Sequence, residues 1–408
     1  MQNRTSVIQD HRNDLRISRG PVDIPFLTLT LLLLGIGVIM VLSASYASAY
    51  YDLHNETHGN AIYYFARQLI FALLGLVAMY VASRMPMSFY RRFSGLLLIV
   101  TLALLLAVLI VGARVNGAKR WIGVAGITFQ PSELAKIAVI LCFANMICRY
   151  KNGMGTFKQG VLPFILIMGA IVGLLVLEPH ISASIIIIIL GAIMMFVGGA
   201  RLFWFIGGIV AVGGLLTLAV TVLQYSSERI SAWINPFADT GDTGFQIVQS
   251  LYAIGSGGLF GLGLGKGMQK YLYLPEEHND FIFSIICEEL GLIGALLILS
   301  LFALLIIRGY WLALHTRDRY SFLVCTGITS LFALQVILNV AVCTNLVPCT
   351  GISLPFFSYG GTALLMQMAE IGIILSVSRD IPTQKKVKKR PPPGKASAST
   401  DKRGDTNQ

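Results

Sequence analysis

The chain has 408 residues, 55% of them hydrophobic and 12% charged. Soluble domains carry about twice that share of charge, so an ordinary water-soluble fold is excluded. The net charge of +11 does not indicate nucleic-acid binding, because most of the cations lie in short segments between apolar runs.

Those runs are about 20 residues long, enough to cross ~30 Å of hydrocarbon at 1.5 Å per residue. Ten spans are predicted, near 24–46, 60–83, 92–112, 131–149, 161–177, 181–199, 202–224, 281–307, 321–343 and 358–378. The expected architecture is an all-α polytopic membrane protein. It comprises an N-terminal tail (1–22), a ten-helix transmembrane domain (23–379) with a large extracellular loop at 225–280 between helices 7 and 8, and a disordered basic tail (380–408). The first span follows a polar tail with no small-residue cleavage site and is read as retained, not as a signal peptide.

The turns after spans two, four, six and eight hold Arg84, Arg91, Arg149, Lys151, Lys158, Arg201, Arg308, Arg317 and Arg319, and Arg379 follows span ten. The positive-inside rule makes these turns and both termini cytoplasmic. YASAYYDLHNETHG, which has no Lys or Arg, is then an outer loop. The basic tail suits anionic lipid headgroups. The six cysteines show no CxxC spacing and mostly fall within spans, as small core residues; a disulfide between Cys343 and Cys349 near the outer face stays open. GSGGLFGLGLGKG fails as a phosphate loop, since Phe260 stands six before Lys266 and Gly267 follows that Lys.

Two outer loops are out of character. ARVNGAKRWIGVAGITFQPSELAK places Arg114, Lys119 and Arg120 where cations should be scarce, which suggests an anionic ligand, phosphate or carboxylate; a headgroup anchor is the plainer reading. The segment from Tyr225 to Asp280 is too long for a turn. It carries short amphipathic or re-entrant pieces, with Gln246, Gln249 and Ser250 on a polar side and glycines that permit close backbone approach.

Ionisable residues inside spans are costly unless they face a partner or a wet cavity. Arg67 lies in span two, Glu133 and Lys136 are spaced i, i+3 at the outer start of span four, Glu178 sits at an outer turn, and Glu370 lies in span ten. Gln335 and Asn339 read as helix-to-helix hydrogen bonding. In LPEEHNDFIFSIICEELG, Asp280 stands where the long outer loop meets span eight. There partial desolvation would raise its pKa toward that of a general base, and an N-cap role is the bland alternative. Glu288 lies deeper and either lines the same cavity or bonds neighbouring helices; Glu289 reads as buried polar structure.

Four stretches, NGAKRWI…FQPSELAK, ERISAWINPFAD…GFQIVQSLYAIGSGGLFGLGLG, LPEEHNDFIFSIICEELG and PFFSYGGTALL, resemble the SEDS family of FtsW, RodA and SpoVE proteins in order along all ten spans. GLGLGKGMQKYLYLPE is similar to the division and sporulation types. The resemblance implies a peptidoglycan glycosyltransferase that polymerises lipid II at the outer face of the cytoplasmic membrane, with a class B penicillin-binding protein and other divisome membrane proteins as partners at the septum. The family's essential acidic residue falls on Asp280. Lys270, Glu276, His278 and Ser358, within the matching motifs, join Arg67, Arg114, Lys119, Arg120, Glu133, Lys136, Gln249 and Ser250 as candidate substrate contacts. The chain departs from the family pattern at His180, where the family's EPD turn has Asp, at Asn279, where Thr is common, and at Asn345, where Gly is common.

In glycan polymerisation a sugar hydroxyl attacks an anomeric carbon whose leaving group is a lipid pyrophosphate. The leaving group departs as a stabilised anion, so one carboxylate base with neutralising cations suffices in principle, unlike glycosidases with two carboxyls. Asp280 is the expected base, and Arg114, Lys119, Arg120 and Lys136 are the expected cations. No metal-ligand cluster is evident, though a divalent cation (Mg or Mn) is a candidate cofactor for the pyrophosphate. The alternatives are a lipid II transporter, to which the intramembrane charges would contribute a pathway, and a non-catalytic scaffold for a cell-wall synthase.

Overall fold

In hydrocarbon a backbone finds no water, so a long apolar run matches its amides and carbonyls internally and becomes a helix. The computed structural model describes residues 20–52, 57–115, 118–124, 127–208, 227–238 and 244–381. Its helices are α1 (Ile24–Tyr51), α2 (Tyr63–Arg84), α3 (Met87–Val111), α4 (Pro131–Tyr150), α5 (Phe157–Gly160), α6 (Leu162–Leu177), α7 (Ile181–Val197), α8 (Ser227–Ile234), α9 (Phe245–Ser256), α10 (Ile282–His315), α11 (Arg319–Cys343) and α12 (Gly361–Ser378). Among the described residues, 8 segments are long and apolar enough to cross a membrane, and α7 is a shorter apolar helix. The protein is a multi-pass helical membrane protein. Of the expected span near 202–224, residues 202–208 are helical and the rest lies outside the described residues, as do residues 1–19 and 382–408 of the tails.

One element departs from the all-α expectation. The outer loop after α3 forms β1 (Ala113–Val115), β2 (Ala118–Val124) and β3 (Ile127–Phe129), a three-stranded antiparallel sheet in the order β1-β2-β3. Arg114 pairs in register with Lys119, so the basic motif is a hairpin and not a flexible loop.

Helices α4, α11 and α12 form the centre, with 78%, 72% and 72% of their most apolar windows buried, against 28% for α2 and α3, which lie at the periphery. Small residues let α12 and α2 approach closely, as polar-poor membrane interfaces require. A β-carbon on Gly361 would collide with Phe71, and one on Gly372 with the Met79 backbone.

The alternating helices gather the basic residues at one end. There Arg308 pairs with Asp23 at 2.6 Å, Arg379 donates to the carbonyls of Gly20 and Ser83 at 3.2 Å, and Arg319 donates to the Gly198 carbonyl at 3.2 Å. The sheet and Asp280 lie at the opposite end.

The decisive local feature is a break in α10. Gly291 takes φ 68° and ψ −173°, dividing the helix into Ile282–Leu290 and Leu292–His315. Residues 258–263 replace the helical bonds lost there. Leu262 and Gly263 donate to the carbonyls of Glu288 and Glu289 at 3.0 Å, while Leu292 and Ile293 donate to those of Gly258 and Leu259 at 2.9 and 3.1 Å. The glycines are needed because β-carbons on Gly257 and Gly261 would collide with the carbonyls of Cys287 and Glu289.

The two deeper carboxylates fix the same loop. Glu288 accepts from the amides of Met268 and Gln269 at 2.7 and 3.1 Å, which corrects the alternative that it lines the cavity of Asp280. Glu289 is buried, pairs with Lys270 at 2.6 Å and accepts from Ser43 Oγ at 2.5 Å. Asp280 does not cap α10: the N-cap is Phe281, without a side-chain bond. Cys343 and Cys349 are free thiols.

Gly261 has φ +78°, so Gly261→Ala forces a β-carbon into an unfavourable backbone region as well as into the Glu289 carbonyl. The expected cost is about 1–3 kcal/mol or more. It will register as a lower melting temperature of the purified protein in detergent, whereas Gly255→Ala, with open space around it, should be near neutral.

Candidate active site

The segment LPEEHND is held as a closed turn. Glu276 adopts φ 57°, and its carbonyl accepts from the amides of Asn279 and Phe281 at 3.0 and 3.3 Å. Its carboxylate accepts from Asn279 Nδ2 at 2.5 Å. The chain then enters α10 through buried Phe281 and Ile282.

Uncharged groups fix this turn from two other elements. Asn339 of α11 donates from Nδ2 to the carbonyls of Asp280 at 2.8 Å and Ile352 at 2.6 Å. The Ser358 hydroxyl donates to the Asn279 carbonyl at 2.7 Å and accepts from the Leu354 amide at 2.7 Å. Tyr359 donates its amide to the His278 carbonyl at 2.8 Å. Behind them Gln68 of α2 donates to the Ser358 carbonyl at 3.3 Å and accepts from the Gly360 amide at 3.4 Å.

The Asp280 carboxyl is half-buried. Gly351, in the left-handed region at φ +57°, lies so close that a β-carbon there would stand 2.9 Å from Asp280 Oδ2. The neighbouring Thr350 carbonyl accepts from Ser182 Oγ. Desolvation pushes the Asp280 carboxyl up to about 6, and the Glu276 charge adds to this, while Arg120 and His278 oppose it. Arg120, on β2, donates to the Pro179 carbonyl and lies between two acids. The second is Glu178, whose carboxyl burial pushes up to about 7 against the influence of Arg120. His180, at 7% exposure, is held down to about 3 by burial, with Arg120 and Lys136 contributing. It is therefore neutral at physiological pH.

Of the residues singled out from the sequence, Asp280, Arg120, Glu276 and His278 come together. Lys136 pairs with Glu133 at 2.8 Å just behind, as the i, i+3 spacing predicts, with Glu370 in electrostatic reach. Arg67 lies over the Tyr63 ring at 5.0 Å, on the helix whose Tyr64 packs 4.5 Å from the His278 ring. Lys119 and Arg114 occupy the hairpin.

Others are engaged in the scaffold. Ser250 is fully buried, within 2.6 Å of Ser284 Oγ and donating to the Cys343 carbonyl at 2.8 Å; Gln249 is half-buried on α9. Lys270, 2% exposed, faces Glu289 and not the outer end. Ser358 acts through its bonds to backbone. Sequence reasoning missed Gln68, although an amide in an apolar span beside Arg67 is a signal, and it missed Gly351, for which the sequence carried none. Among the described residues, no group of three or more His, Cys, Asp or Glu is placed to hold a metal ion.

A family profile described as Cell cycle protein, covering FtsW, RodA and SpoVE, matches residues 25–382. Stage V sporulation protein E of Bacillus subtilis is 40% identical over 361 residues, 88% of this chain and 97% of that protein. A probable peptidoglycan glycosyltransferase FtsW of Trichlorobacter lovleyi is 40% identical over 359 residues, 87% of this chain and 93% of its own length. Among solved structures, a chain from a peptidoglycan synthase complex studied for coordination of polymerization and crosslinking superposes with a TM-score of 0.74 at 26% identity, covering 88% of this chain and 98% of that one. The rod shape determining protein RodA of Thermus thermophilus gives 0.64 at 26% identity, covering 89% and 98%.

The position of Lys270 yields a test. Lys270→Met strands the buried Glu289 carboxylate and should destabilise the protein by about 3–5 kcal/mol, whereas Lys270→Met with Glu289→Leu should recover most of that loss. Melting in detergent, read beside activity, checks it. Recovered stability with no recovered activity would instead give Lys270 a direct part in function.

Proposed function

Because the chain belongs to the FtsW/RodA/SpoVE family of cell cycle proteins, we propose that Asp280 is the general base with which it polymerises lipid II into glycan strands. The protein is a peptidoglycan glycosyltransferase, as its relatives of 40% identity are named. The observation that carries the assignment to Asp280 is the position of its half-buried carboxyl. Desolvation pushes it up to about 6, it is fixed through its backbone by Asn339, and Arg120 stands beside it. A base poised near the working pH contributes ~10²–10⁴-fold in rate.

The basic end is the cytoplasmic one by the positive-inside rule, which puts both termini inside and Asp280 at the outer surface. The polyprenyl tail stays in lipid against the apolar peripheral helices while the sugars lie under the hairpin. The acceptor hydroxyl gives its proton to Asp280 as its oxygen attacks the anomeric carbon. Arg120, with Lys119 and Arg114 of the same hairpin, neutralises the departing pyrophosphate, a contribution comparable to or larger than that of the base. A divalent cation such as Mg or Mn, carried in on the pyrophosphate oxygens, would add to the same neutralisation.

The ion pairs Glu133–Lys136 and Lys270–Glu289 argue against a chain of free charges that would suit a lipid transporter. The likeness to a chain of a peptidoglycan synthase complex supports a crosslinking partner, for which a class B penicillin-binding protein is the chemical match, at the division septum or in sporulation with other membrane proteins of that machinery.

Asp280→Asn is expected to reduce glycan polymerisation from purified lipid II by at least about 100-fold while the protein still folds in the membrane. For the wild type, the base works only when ionised. Activity should therefore fall as the pH drops through about 6, measured as initial rate of strand formation. Wild-type rates from Asp280→Asn would sink the assignment.

A further inference from the structure

The turn from Glu178 to Ser182 adjoins the surroundings of Asp280 on two sides. Arg120 reaches the Pro179 carbonyl, and Ser182 donates to the Thr350 carbonyl next to Gly351. Two buried polar atoms on this turn have no hydrogen-bond partner in the described structure, Glu178 Oε1 and His180 Nδ1, and a third, Ser132 Oγ, stands at the start of α4. Glu178 and Ser132 are 1% exposed and His180 is 7% exposed. Gln130, two residues before Ser132, lies 3.4 Å from His180 Nε2, which brings the start of α4 onto the turn.

A buried polar atom left without a partner is costly. Two on one turn, beside an arginine that also acts on Asp280, suggest that something polar arrives there. Arg120 is the common neighbour of both acids, and an arginine in that position collects an oxyanion.

We propose that Glu178 is a second functional carboxyl of the reaction site, which gives its proton to a diphosphate oxygen that Arg120 holds. This rests on the glycosyltransferase reading above. The acceptor O–H breaks, and its proton goes to Asp280. The acceptor oxygen bonds to the anomeric carbon while the bond from that carbon to phosphate oxygen breaks, its electron pair leaving with the diphosphate. The Glu178 O–H then breaks, and its proton passes to a diphosphate oxygen. Asp280 has gained one proton and Glu178 has lost one, and solvent exchange restores both before the next turnover.

The environment supports the direction of transfer. Burial keeps the Glu178 carboxyl protonated up to about pH 7, so it holds a proton under conditions in which Asp280, near 6, has released its own. His180, held near 3, carries no proton to give. The charged and titratable groups around Glu178 are Arg120 from β2, His180 on its own turn, Lys136 and Glu133 of α4 beyond His180, and Asp280 beyond Arg120.

The test is Glu178→Gln in the full-length protein, assayed with lipid II from about pH 5 to 9 beside the wild type and Asp280→Asn. Gln keeps the size and can donate a hydrogen bond, but it cannot give up a proton. The expected result is a kcat lower by about tenfold or more, with KM changed by less than about twofold, and loss of the alkaline limb near pH 7 expected of the wild type. A wild-type kcat with the alkaline limb intact overturns the proposal and leaves the unpartnered atoms of the turn to ordered water. Should Glu178→Gln melt far below the wild type, Glu178→Asp carries the test: because Asp can still give a proton, turnover with a retained alkaline limb supports the proton role, and turnover that has lost that limb refutes it. If the wild type makes no glycan at all, the glycosyltransferase reading itself fails, which is a separate outcome.

Discussion

Backbone amides and carbonyls cannot be left bare in hydrocarbon, and the placement of Asp280 follows from that. Where α10 breaks at Gly291, carbonyls at the end of one half and amides at the start of the other lose their helical partners. Each would cost several kcal/mol in lipid. Residues 258–263 supply four matching groups in a reciprocal exchange, and the glycines there serve close backbone contact, not phosphate. Irregular backbone at this depth persists only because it is matched by protein. The short first half of α10, Ile282–Leu290, is thereby fixed at both ends, by the loop below and by the closed LPEEHND turn above.

Two kinds of buried charge are thereby separated. Lys270–Glu289 and Glu133–Lys136 are tight pairs at 2.6 and 2.8 Å, in which each ion compensates the desolvation of the other. Among the described residues, Asp280 has no such ion-pair partner at contact distance; the Arg120 guanidinium donates to the Pro179 carbonyl. A carboxylate clamped by arginine would be a weak base. One that is desolvated, with a cation only nearby, keeps its affinity for a proton.

Much of this was legible in the sequence. Spans emerged from run length, the grouping of basic residues at one end from their alternation between runs, and the Glu133–Lys136 pair from i, i+3 spacing. Asp280 stands out because a carboxylate at a loop–span boundary is chemically conspicuous. Asn345, noted where relatives have glycine, adopts φ 57°, a region that Asn tolerates better than most residues. The break at Gly291 was hidden because a glycine inside an apolar run leaves hydropathy unchanged. The partner of Lys270 was hidden because nothing in the spacing of a loop lysine indicates which buried acid it meets. The hairpin at 113–129 was read as a loop because its strands are too short for alternation to register.

The clasp around the turn is built from amides, hydroxyls and backbone: Asn339, Ser358, Gln68 and Gln367, the last accepting from the Phe356 amide at 3.0 Å. None of these groups titrates in the biological range. Protonation of the Asp280 carboxyl near pH 6 therefore leaves these particular bonds in place. Charge at this position can thus change while Asn339 and Ser358 keep hold of the Asp280 and Asn279 carbonyls.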